Sequence, residues 1–126
     1  MKLLQVIEQA FRTLVEEQDD TILWLSQSIQ KAGADMKVLL VGNCAYYAVL
    51  KRRQPALVIA GWVQKEPSDI KQDLDRLQAG GVGIYVSRSD LADRGLIGIP
   101  VHPGVKVISQ LEVAALYEEA DLVWQW

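Results

Sequence analysis

Short apolar runs alternate along this chain with longer amphipathic stretches, and that alternation limits what the chain can fold into more than any other feature. Repetition of a strand-length run and a helix-length segment is the pattern of βα units, because parallel strands need a crossover and the crossover is usually helical. Leu3 to Glu8 reads as a first strand, and Lys37 to Gly42, almost continuously apolar, as a central strand covered on both faces. Val82 to Val86, Val105 to Ile108 and Asp121 to Trp126 supply further strands, and Ala56 to Val63 is a candidate for an extra one. The expected architecture is an α/β domain of three layers occupying residues 1–126.

The helices between these strands carry their own punctuation. Asp19 and Asp20 offer an N-cap before Ile22, Leu25, Ile29 and Ala32, which share one helical face, and Gly33 suits the position just past its end. Cys44 to Arg53 reads as a short helix ending before Pro55. Ser68 is expected to cap a helix carrying Ile70, Leu74 and Leu77, with Asp69 in its first turn and Gly80-Gly81 closing it. Ser89 to Arg94 forms a short helical turn, and a Gly/Pro-punctuated loop runs from Gly95 to Gly104. In Leu111 to Glu119, the spacing of Leu111, Ala114, Ala115 and Glu118 marks one helical face.

Composition narrows the function classes. Thirteen Lys and Arg against sixteen Asp and Glu give a net charge of −3, so direct nucleic-acid contact is not expected. No apolar run approaches the ~20 residues that span a bilayer, and the N-terminus shows no export signal; a cytoplasmic protein without membrane contact is expected. One cysteine, Cys44, cannot build a disulfide or a multi-cysteine metal site, and neither a metal nor a cofactor is expected.

Few residues carry chemistry. Gly80, Gly81 and Gly83 precede a strand, whereas a dinucleotide fingerprint follows one, so they read as a helix end and a turn. A receiver domain needs an aspartate at a strand end, where Ala60-Gly61-Trp62 has none. A Mg²⁺-dependent nuclease would need carboxylates at Ala56 and Val63. Lys51-Arg52-Arg53 is either a solvated helix end or a patch for an anionic partner. His102 is capable of acid–base work, although a lone loop histidine is more often merely exposed. Cys44 stands where a strand hands over to a helix. Nearby N–H groups there would lower the thiol pKa, and burial against Tyr46 and Tyr47 would raise it. Trp24, Trp62, Trp124 and Trp126 are large apolar anchors, and Trp124 and Trp126 are candidates for an interface.

In order and spacing, several segments resemble the small sulfur-relay subunits of the DsrE/DsrF/DsrH type, known in tRNA thiolation as TusD, TusC and TusB. Leu39-Leu40-Val41-Gly42-Asn43-Cys44-Ala45-Tyr46-Tyr47-Ala48-Val49-Leu50 is similar to the family's second strand and following loop. The run from Gly81 to Leu96 resembles the strand and turn that present the sulfur-carrying cysteine, and its Asp90-Leu91-Ala92-Asp93-Arg94-Gly95 portion resembles the DsrH/TusB branch. Val105-Lys106-Val107-Ile108 and Ala120 to Trp126 are similar to the terminal βαβ unit.

The resemblance implies a mainly parallel five-stranded sheet and a subunit of a homo- or hetero-oligomer with related DsrE/F-type chains, serving a sulfur-carrier protein. It places the sulfur-carrying position at Ser87, whose hydroxyl cannot hold sulfane sulfur; DsrH-type members can lack that cysteine. An accessory or scaffolding role is therefore expected, with Cys44 the one thiol able to carry sulfur. The different-class alternative is a small-ligand or regulatory binding domain, its pocket drawing on Asn43, Ser89, Arg94 and His102.

Overall fold

The computed structural model describes residues 1–9, 20–49, 56, 58–65 and 69–126. Their elements follow in the order β1 (Lys2–Ile7), α1 (Thr21–Lys31), β2 (Asp35–Leu40), a 3-10 turn (Gly42–Cys44), α2 (Ala45–Val49), β3 (Val58–Ile59), β4 (Trp62–Val63), α3 (Ile70–Ala79), β5 (Gly83–Ser87), α4 (Arg88–Asp93), β6 (Val105–Ile108), α5 (Gln110–Glu119) and β7 (Leu122–Gln125). Five strands form one parallel sheet in the order β6-β5-β2-β1-β7, as the resemblance implies.

The strand order dictates the layers. From β1 through β2 and β5 to β6 the chain steps across the sheet in one direction, so right-handed crossovers keep the connecting helices on one face. The return from β6 to β7 runs the opposite way and puts α5 on the other face. Side chains record this division. Leu3, Ile7, Val38, Leu40, Ile84, Val86 and Val105 pack with residues of α1, α2, α3 and α4, whereas Leu4, Val6, Leu39 and Ile108 pack with Leu116 of α5. Each fully buried Leu or Ile contributes roughly 1.5–3 kcal/mol of transfer free energy, so these two clusters are the main source of stability.

Local details correct the sequence reading in several places. Asp20 caps α1, its Oδ1 accepting from the N–H groups of Ile22 and Leu23, each at 3.0 Å; Asp19 lies outside the described residues. The buried stripe of α1 is Ile22, Leu23 and Ser26 with Ile29 partly buried, so it is rotated from the expected face: Leu25 is half-buried and Ala32 exposed. Ser26 is tolerated there because its hydroxyl donates to the Ile22 carbonyl at 2.8 Å. Asp69, not Ser68, caps α3, with Oδ1 accepting from the Gln72 N–H at 3.1 Å; Ser68 itself is outside the described residues. The helix expected over Cys44 to Arg53 is described as a 3-10 turn and α2 as far as Val49, and Leu50 to Pro55 are outside the described residues.

The extra strand expected over Ala56 to Val63 is instead a hairpin of two short antiparallel strands in a separate sheet. The reason is the turn. Ala60 (φ 46°) and Gly61 (φ 81°) both adopt the left-handed region, as a two-residue hairpin loop requires, so the run reverses at its middle. The α5 stripe is also reversed: Leu111, Ala114, Ala115 and Glu118 face solvent, and Leu116 with Val113 and Ala120 meets the sheet.

Candidate functional site

In an open parallel sheet, ligands gather beyond the carboxyl ends of the strands, at the point where neighbouring connections leave toward opposite faces. Here that point lies between β5 and β6. β5 passes into α4 on the four-helix face, and β6 passes into α5 on the other. Ser87 ends β5 and pairs in register with Ile108, the last residue of β6. Ser109 follows as the N-cap of α5.

Ser87 is 2% exposed. Its Oγ accepts from the Asp90 N–H at 3.4 Å, which makes it the cap of α4, and lies 3.0 Å from the Oγ of Ser89. Gln110 donates through Nε2 to the Ser89 hydroxyl, linking α4 to the first turn of α5 across the crevice. Gln110 is not among the residues expected in this pocket from sequence. Its position directly after a Ser N-cap at a strand end was the available signal, but its partner is distant in sequence.

Asn43 and Arg94, both expected in the pocket, do meet. The Arg94 guanidinium donates to Asn43 Oδ1 through Nε at 3.2 Å and Nη2 at 3.1 Å, and through Nη1 to the Asp90 carbonyl at 3.1 Å. It thereby ties α4 to the turn after β2, and most of its donor fork is spent on that tie. Gly42 makes the turn possible: with φ at 55°, a Cβ there would stand 2.9 Å from Glu8 Cγ.

His102 is not exposed as a lone loop histidine was expected to be. It is 4% exposed, and its ring is engaged on both sides away from the Ser87 crevice. Nδ1 accepts from the Gly104 N–H at 2.9 Å, which assigns the ring proton to Nε2, and Nε2 donates to Asp75 Oδ1 at 2.5 Å. Its own N–H donates to the Ala48 carbonyl at 2.7 Å, so the residue clips the loop before β6 onto α2 and α3. The Lys71 ammonium, hydrogen-bonded at 2.8 Å, and next the His102 ring hold the Asp75 carboxyl below the usual carboxylate range.

Cys44 is fully buried among core residues, and its N–H donates to the carbonyls of Val41 (3.0 Å) and Glu8 (3.1 Å). Ala45, Tyr47 and Ala48 belong to the same buried cluster. The last strand separates the two tryptophans: Trp124 is exposed, while Trp126 is partly buried against the core and donates from Nε1 to Gln5 Oε1 at 2.6 Å. Gln5, a polar residue inside an apolar strand, is completely buried.

Away from this edge, a cavity of about 240 Å³ opens at the amino ends of β1 and β2, lined by Leu4, Met36, Lys37, Leu116 and Glu119 among others. The Lys37–Glu119 ion pair at 2.7 Å spans it; the hydrogen bond between them raises the ammonium pKa and lowers that of the carboxyl. Among the described residues no group of three or more His, Cys, Asp or Glu is placed to hold a metal ion, and no helix is long and apolar enough to cross a membrane.

No sequence-family model and no curated protein sequence matches this chain. Solved structures do. The ychN protein from E. coli superposes with a TM-score of 0.76 over 99% of this chain and 98% of its own, at 20% sequence identity. At that identity the likeness is one of fold, and it extends over essentially the whole of both chains.

Proposed function

We propose that this chain is a DsrE-type subunit of a cytoplasmic sulfur-relay assembly, serving persulfide transfer in tRNA thiolation or sulfur oxidation as an accessory or scaffold and not as an independent enzyme. The observation that carries this reading is Ser87. The residue aligned by resemblance with the sulfur-carrying cysteine ends a parallel strand at the β5/β6 switch point, where such a carrier would have to stand, yet its side chain is a hydroxyl spent on capping α4 and on Ser89. The one thiol, Cys44, is enclosed in the core. The order of the quoted motifs and the fold shared with the ychN protein support the same reading.

In this role the subunit works beside related chains that do carry the thiol, with a sulfur-carrier protein as the acceptor. Its own contribution is surface and geometry. The test is native purification of the tagged full chain from its own cells, with mass spectrometry of what stays bound. The expected result is a DsrE-type subunit with a cysteine at the position equivalent to Ser87; recovery of this chain without any such subunit would contradict it.

A second reading has its own observation. Ser87, Ser89 and Gln110 form a polar cluster at the place where open α/β sheets bind small molecules. A regulatory binding domain without sulfur chemistry would use that cluster, with Asn43 and Arg94 beside it. Retention of a nucleotide or small anion by the purified protein, with no thiol-bearing subunit present, favours this reading.

A further inference from the structure

The main sheet ends on two unlike edges, β6 and β7. At β6, Val105 and Ile108 are buried and the exposed Lys106 sets a charge on the rim, the kind of protection that keeps an edge strand from pairing with another chain. β7 lacks both. Its residues Leu122 to Gln125 include no charge, and Val123 and Trp124 are 36% and 38% exposed. An open groove of about 360 Å³ runs along Val123, Trp124, Gln125 and Trp126.

Pairing with β1 fixes which way the β7 backbone points. Trp126 donates its N–H to the Val6 carbonyl and accepts from the Glu8 N–H, each at 2.9 Å, so both of its backbone groups face β1. In a parallel ladder that direction alternates along the strand, and the register of Gln5 with Trp124 continues it. Trp124 therefore also turns its backbone groups to β1, while the N–H and C=O of Val123 and of Gln125 point off the sheet, where no other strand stands among the described residues. Side chains alternate too. Leu122 and Trp126 pack with the cluster on the four-helix face, so Trp124, two residues from each, projects on that same side.

We propose that β7 of one copy pairs antiparallel with β7 of a second copy about a twofold axis at Trp124, joining the two five-stranded sheets into one. In that register Val123 of each copy and Gln125 of the other form hydrogen-bonded pairs, which use every outward N–H and C=O of both strands. Trp124 stands opposite its own counterpart at the intervening non-hydrogen-bonded position, where Cα atoms approach to about 4.5 Å and the two indoles meet on one face. A second copy is the occupant because the edge is its own complement: the outward groups of Val123 and Gln125 interchange under the axis, as an isologous contact requires. Charge agrees with this. Although each chain carries −3, the paired strands bring no like charges together, and the nearest carboxylate, Asp121, accepts from the Lys2 N–H at 2.7 Å. The pairing lies at the opposite end of the sheet from the β5/β6 crevice and stands or falls independently of the sulfur-relay reading. A contact of two short strands is small, so a weak, concentration-dependent dimer is expected.

The test is sedimentation equilibrium of the full chain from micromolar to near-millimolar concentration, with Val123→Pro, Trp124→Lys and Trp124→Glu beside the wild type. The wild type is expected to pass from monomer to dimer as concentration rises. Val123→Pro deletes an N–H that points off the sheet, so the ladder to β1 survives while the dissociation constant rises by about tenfold or more. Trp124→Lys and Trp124→Glu each set like charges opposite one another across the axis and are expected to be monomeric alone, whereas an equal mixture of the two forms a 1:1 dimer. Circular dichroism checks each fold, and the charged pair decides the matter if Val123→Pro does not fold. A wild type that is monomeric throughout, an assembly indifferent to these substitutions, or a mixture of Trp124→Lys with Trp124→Glu that stays monomeric would each overturn the proposal.

Discussion

The hydroxyls of Ser87 and Ser89 stand 3.0 Å apart at the carboxyl end of β5, and Ser87 caps the short helix that Ser89 belongs to. Ser87 therefore serves as a helix cap in this chain. Its capping bond is long, at 3.4 Å, which puts the value of the cap at the low end of the usual range. Ser87→Ala is expected to lower unfolding free energy by about 0.5–1 kcal/mol and to leave assembly unchanged. Urea denaturation measures the first and sedimentation the second; loss of function equal to deletion of the protein would contradict a merely structural serine.

A buried polar network ties three helices together. The Tyr47 hydroxyl donates to Asp20 Oδ2 at 2.6 Å, and Asp73 Oδ2 accepts from the Asp20 N–H at 3.1 Å. Asp20 is almost fully buried, so removing a donor from its carboxylate carries a desolvation cost as well as the lost bond. Tyr47→Phe is expected to destabilise the fold by about 2 kcal/mol. A change within experimental error would show that the bond is not formed in solution.

Acid stability follows from Asp75. Its carboxyl is held below the usual range, chiefly by Lys71 and then by His102. A lowered folded-state pKa adds stability that is complete above the unfolded aspartate value and disappears as the pH falls through the folded one, so the effect belongs below about pH 4. The carboxylate side chain is 45% exposed, and solvent screening keeps the contribution modest. In denaturation series from neutral to acidic pH, Asp75→Asn should flatten the decline below that value; parallel curves for the two proteins would contradict the assignment.

Much of this architecture could be read from residue order. The five strands of the main sheet follow from short, mostly apolar runs, and α1 and α3 from caps and spacing. What failed did so for identifiable reasons. α5 is apolar on more than one side, so periodicity alone could not decide whether Leu111 or Leu116 faces the sheet. Ala60 carries a positive φ without being Gly, Asn or Asp, and so the hairpin turn was invisible in the run from Ala56 to Val63. In the candidate site, Asn43 and Ser89 each stand just past the end of a strand. The clips were not legible in the sequence: Arg94 reaches Asn43 across 51 positions, and His102 reaches Asp75 across 27.

The proposed non-carrier role requires the one thiol, Cys44, enclosed in the core, to stay closed to sulfur donors in the folded protein. Intact-mass spectrometry of the native protein, after treatment with a low-molecular-weight persulfide donor at neutral pH, tests it most directly. Native wild type should gain no sulfur, because Cys44 is fully buried and a thiol must be reached as a thiolate to react; unfolding first should make Cys44 reactive. Uptake of sulfur at Cys44 in the folded wild type would contradict the proposed role and make Cys44 the carrier.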